Sequence, residues 1–115
     1  LRLARHGQAI QVVEDQVLSP SSCADVADAA LTLMARGARG LFHLTNSGQC
    51  SWFEFAKAIF ELAGVQANLS ATTSLVYLSK ATRPAYSALA SIHPDAPRLR
   101  PWREALADYL RTPAG

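Results

Sequence analysis

Cysteine is scarce in this sequence, long apolar runs are missing, and charge is sparse. Only two of the 115 residues are cysteine, Cys23 and Cys50. They show no Cys-x-x-Cys or Cys/His spacing, so neither a disulfide framework nor a metal site is expected, and both read as small buried residues. No apolar run approaches the roughly 20 residues that span a bilayer, and no signal peptide stands at the start, so a cytoplasmic protein without membrane association is expected. Charged residues make up 17% of the chain, scattered to a net +2. No basic run or aromatic-basic interleaving builds a nucleic-acid face. Arg outnumbers Lys nine to two, which reads as base composition of the source genome rather than chemistry. There is no internal repeat and no low-complexity tract.

What is present is a foldable chain. Half of the residues are apolar and mean hydropathy is +0.07, values that exclude disorder. A domain of this size buries roughly two thirds of its unfolded surface. The opening "LRLARHGQAI" has no initiator Met and reads like the tail of a helix, so a piece of a longer protein is expected.

Patterning gives an α/β alternation. Residues 1–7 read as a helix end closed by Gly7, and 9–14 as a short strand. "DQVLSPSS" is a turn. Residues 23–36 form a helix ended by Gly37, with Asp25 and Asp28 near its positive end. "GLFHLT", 40–45, reads as a strand apolar on both faces apart from His43, the type found in the centre of a parallel sheet; His43 itself reads as a core residue. Ser51 and Glu54 match a capping box, which predicts a helix over 52–63 stopped by Gly64. Its polar residues Glu54, Lys57 and Glu61 form one narrow stripe, and the rest is apolar. Such a helix is expected to lie against more protein than these 115 residues supply. "ANLSATT" reads as a short strand, "ATRPAYSAL" as an extended loop shaped by Pro84, and "RPWREALADYLRT" as a helix with Pro101 in its first turn.

The blocks "VVEDQVLSPSSCADVADAAL", "GLFHLTNSGQCSWFEFAKAIFELAG", "ATRPAYSALAS" and "RPWREALADYL" resemble, in order, the C-terminal part of dTDP-4-dehydrorhamnose reductases, members of the extended short-chain dehydrogenase/reductase superfamily. The resemblance covers nearly all of the chain. It implies a fold class: the α/β substrate-binding lobe of a Rossmann-type protein over 1–115, with its last Rossmann strand near 40–45 and the N-terminal dinucleotide-binding part absent. It also implies an activity, reduction of dTDP-4-dehydro-L-rhamnose to dTDP-L-rhamnose by NADPH or NADH. The partners implied are a dTDP-sugar substrate, the N-terminal Rossmann domain of the same protein, and a homodimer.

The chemistry would lie outside these residues. Dinucleotide binding needs a glycine-rich turn between strand and helix, which the glycines at 37, 40, 48 and 64 do not make. The superfamily's acid is a Tyr-x-x-x-Lys pair. Tyr77 and Lys80 are one residue short of that spacing, and Tyr86 and Tyr109 have no Lys four residues on. No catalytic or cofactor-binding residue is therefore assigned, and the chain alone is expected to be inactive.

Five residues are candidates for substrate contact. Arg83 could clamp a diphosphate with its guanidinium fork or form a structural salt bridge, with Pro84 holding its loop extended. Ser87 could contact substrate or shape the turn. Gln16 and Ser19 lie where the family has its Asp-Gln and Gly-Ser-Pro-Thr block. Leu18 replaces the glycine there, which predicts a different loop path, and Asp15 reads as a loop anchor. Trp52 could stack on a base or sit in the core. Two further readings stand beside the reductase lobe: a noncatalytic relative that binds a partner enzyme, and an independent binding or oligomerisation module.

Overall fold

The computed structural model describes residues 1–76 and 81–112. A short helix α1 (Arg2–Arg5) leads into strand β1 (Ala9–Val13) and the two-residue strand β2 (Val17–Leu18), followed by helix α2 (Cys23–Ala35). After an irregular stretch come strand β3 (Cys50–Ser51), helix α3 (Trp52–Ala63), strand β4 (Asn68–Thr72) and helix α4 (Trp102–Leu110). β1 pairs in parallel with β4, Ala9 opposite Asn68 through Val13 opposite Thr72. Parallel neighbours need a long crossover, and the chain between them supplies it with α2 and α3. β2 pairs antiparallel with β3, Val17 opposite Ser51 and Leu18 opposite Cys50.

Local sequence explains where α3 begins and ends. The Ser51 hydroxyl accepts from the Glu54 amide at 3.1 Å, and the Glu54 carboxylate accepts from the Ser51 amide at 3.2 Å. Two first-turn donors are thereby satisfied. At the other end Gly64 takes φ +68, and the Val65 amide donates back to the Phe60 carbonyl at 3.0 Å. That left-handed closure is cheap only for glycine. α2 starts at Cys23 as expected, and Ser22 caps it through the Asp25 amide. Pro101 stands just before α4, at its cap, rather than inside the first turn.

The core is small. Ala4, Ala29, Leu33, Cys50, Ala58, Ala105 and Leu106 are buried, and α3 rests on β1, β4 and α4. Glu54, Lys57 and Glu61 face solvent as expected, and most apolar side chains of α3 are half-buried, while Trp52 and Leu62 are exposed. The uncovered apolar flank is clearest on α2, at Leu31 and Met34, 63% and 75% exposed.

Other expectations change. Residues 40–45 join no sheet among the described residues, because a strand is made by its neighbour and none lies beside them. His43 is exposed rather than in the core. Cys23 is exposed at the start of α2, whereas Cys50 is buried as read. Leu18 needs no glycine-like backbone: it sits in β2, and no described non-glycine residue has a positive φ. Tyr77 and Lys80 lie outside the described residues.

Candidate functional site

The edge of β2 gathers most of the candidates. The loop 81–90 runs beside it: the Val17 amide donates to the Ala85 carbonyl and the Ser87 amide to the Val17 carbonyl, both at 2.8 Å. This is a parallel bridge between Val17 and Tyr86. On its other side β2 meets β3, so β2 is the middle of a three-segment ribbon. β3 runs directly into α3, and the Trp52 amide donates to the Gln16 carbonyl at 3.3 Å. Gln16, Ser19, Ser87 and the start of α3 are thus held at one ribbon by backbone pairing.

Ser19 and Ser87 hold the loop. The Leu89 amide donates to the Ser19 hydroxyl at 3.2 Å, and the Ser87 hydroxyl donates to the Val17 carbonyl at 3.3 Å. Their roles are structural here, with lone pairs left over for a ligand. Gln16 is half-buried. Trp52 is 42% exposed, with one ring edge against Phe55 at a centroid separation of 6.2 Å. It is not a core tryptophan, and its indole can be reached. Arg83 lies two residues before the Ala85 tie, exposed, and pairs with no acid among the described residues. Among the described residues Arg83 thus forms no structural salt bridge.

Two further side-chain ties reach the loop from the segment before α3. The Tyr86 hydroxyl donates to Gln49 Oε1 at 2.5 Å, and the Thr45 hydroxyl donates to the Leu89 carbonyl at 3.3 Å. Sequence reasoning missed both, because partners 37 and 44 residues apart leave no local signature. Asp15 does anchor its loop. Its carboxylate accepts from the Ser74 hydroxyl at 2.7 Å and from the Ser74 amide, and these bonds hold it below the ordinary carboxylate range.

A second polar centre stands behind the ribbon. Asn46 is 1% exposed and uses its whole amide. Its Oδ1 accepts from the Ser22 amide at 2.6 Å, and its Nδ2 donates to Asp25 at 2.7 Å and to the Arg100 carbonyl at 3.1 Å. Arg100 clamps Asp25 through Nε at 2.9 Å and Nη2 at 3.1 Å, and reaches Asp108 of α4, which also receives Arg111. Arg100 first and Asn46 second depress the Asp25 carboxyl, and Arg100 depresses Asp108. Gly48, at φ +89, lets Trp102 close in: a Cβ there would meet the indole at 3.2 Å. Asn46 stood in a recognisable block, but its partners lie 21 to 54 residues away and no motif names them.

Other groups do different work. Burial, and then the Glu54 charge, push the Cys50 thiol up to about 11, so it stays protonated and unreactive at neutral pH. His93 joins two loops, with Nε2 donating to the Arg39 carbonyl at 3.0 Å and Nδ1 accepting from the Asp95 amide at 3.1 Å. An open apolar cleft of about 820 Å³ lies between the start of α2, α3 and α4, lined by Pro20, Phe55, Ile59, Trp102 and Leu106. None of the five candidates lines it. Among the described residues no group of His, Cys, Asp and Glu is gathered to hold a metal, and no helix is long and apolar enough to cross a membrane. The glycines at 7, 37 and 64 follow helices, and those at 40 and 48 back onto His93 and Trp102, so the described residues do not fit a dinucleotide pyrophosphate.

The model of the RmlD substrate binding domain matches residues 1–114. The chain is 42% identical over 113 residues to the spore coat polysaccharide biosynthesis protein SpsK of Bacillus subtilis, covering 96% of this chain and 40% of that protein. It is 40% identical over 116 residues to the dTDP-4-dehydrorhamnose reductase of Mycobacterium tuberculosis, covering 96% and 38%. The crystal structure of dTDP-4-dehydrorhamnose reductase from Bacillus anthracis in complex with NADP superposes with a TM-score of 0.88 at 32% identity, over 94% of this chain and 40% of that one. The chain spans about two fifths of the length of these relatives.

Proposed function

The chain belongs to the RmlD substrate-binding domain family, and from that premise we propose that it is the dTDP-sugar-binding lobe of an NAD(P)H-dependent reductase that forms dTDP-L-rhamnose. On this reading residues 1–115 are one lobe, and a Rossmann domain of the same protein supplies the nicotinamide and the proton-donating Tyr-x-x-x-Lys pair. The dinucleotide, when bound there, delivers a hydride to the sugar's keto carbon. This chain's own residues bind and orient. The 115 residues alone then oxidise no NADPH, which an absorbance assay with the keto-sugar checks; turnover would overturn this division of labour.

The observation that carries the reading is the exposed guanidinium of Arg83, paired with no acid among the described residues, on a loop stitched to β2, inside a chain matched by a substrate-binding family. An unneutralised guanidinium suits a diphosphate, which accepts two parallel N–H bonds from its fork. Pro84 restricts the backbone of Arg83 to extended conformations and so narrows where that fork can point. Trp52 offers a flat face for the thymine, and Gln16 an amide for a sugar hydroxyl.

Titration calorimetry with thymidine diphosphate tests it. Arg83→Ala is expected to weaken binding about tenfold or more, the size of a lost charge-assisted contact, without moving the thermal midpoint. Unchanged affinity would defeat the assignment of Arg83.

A further inference from the structure

Resting on the reading of Arg83 as the diphosphate contact, we propose that Tyr86 and Gln49 form a latch that positions the Arg83 loop, both acting as positioning residues for nucleotide-sugar binding. Within 81–90 every residue except Ala88 is exposed, so burial cannot order this loop and hydrogen bonds must. The backbone ties to Val17 fix its register along β2. They leave it free to swing about that single strand. The bonds of the Ser19 and Ser87 hydroxyls tie the loop to that same strand segment and share that freedom.

The Tyr86 hydroxyl reaches elsewhere. It donates to Gln49, one residue before β3 and three before Trp52. It therefore fixes the loop against the start of α3, which carries the proposed base-stacking indole. Thr45 makes a similar tie to Leu89, six residues past Arg83, whereas Tyr86 is only three past it. Of these side-chain ties, Tyr86 to Gln49 has the most leverage on where the guanidinium sits relative to Trp52. Gln49 in turn is held from behind, because Ser47 pairs with the chain entering α4: the Ser47 amide donates to the Arg100 carbonyl and the Trp102 amide to the Ser47 carbonyl, both at 3.0 Å.

The test uses the native full-length protein and thymidine diphosphate. Tyr86 is 61% exposed, so Tyr86→Phe removes the hydroxyl without opening a cavity. It is expected to weaken binding about 3- to 10-fold, the worth of one hydrogen bond, with the urea midpoint unchanged. Gln49→Leu should match it, and the double variant should be no weaker than either single one. In an Arg83→Ala background Tyr86→Phe should have no further effect, a coupling that a merely structural role would not produce. If Tyr86→Phe binds as wild type while Arg83→Ala does not, the latch is overturned and the ligand reading stands. Losses that add to Arg83→Ala, or that come with a lowered midpoint, assign the pair to folding and also overturn it. No effect of Arg83→Ala overturns the ligand reading, and the latch with it.

Discussion

Around Asn46 and around Arg83 the chain uses the same kinds of groups to opposite ends. At Asn46 an amide, two carboxylates and a guanidinium close on one another, joining α2, the 45–47 segment and α4. At Arg83 a guanidinium stands in solvent with no acid beside it among the described residues. Polar groups withdrawn from water must find partners inside the protein, or the fold loses their hydration. Groups left wet can keep their capacity for a ligand. Arg100 and Arg83 thus differ in surroundings, not in chemistry.

Removing the centre of the closed network should have the largest effect. Asn46→Ala deletes three side-chain hydrogen bonds and leaves the Ser22 amide and part of Asp25 unpaired. It is expected to lower the unfolding free energy by about 2–4 kcal/mol in urea denaturation. A loss below about 1 kcal/mol would erase the contrast, since the same assay should register nothing for Arg83→Ala.

Acid should act more gradually, and on the same region. The Asp25 and Asp108 carboxyls are held below their ordinary value of 3.8, chiefly by Arg100. Depressed carboxylates contribute their stability in full above the unfolded value and lose it as pH falls through the lower folded one. The thermal midpoint should therefore stay level from neutral pH to about 5 and drop below about 4. Asp25→Asn should flatten part of that drop, and an unaltered profile would show that the clamp contributes little. The Arg83 loop holds no carboxylate of its own.

Much of this molecule was readable before its fold was known. The capping box at Ser51 and the glycine stop at Gly64 depend on residues within a few positions of one another, and both appear where the spacing puts them. His43 was misread because its neighbours in sequence are apolar, while its surroundings in space are water. Residues 40–45 carry a strand's pattern, but a ladder needs a second strand, and none of the described residues offers one.

The sequence by itself determined the helix limits, the family blocks and the candidates along β2, because each is written in short-range patterns of side-chain type and backbone freedom. The tertiary structure alone decided which polar groups were used up and which stayed open. Asp25 meets Arg100 across 75 residues, and Tyr86 meets Gln49 across 37. Pairings at that range come from how elements pack, and no local preference encodes them.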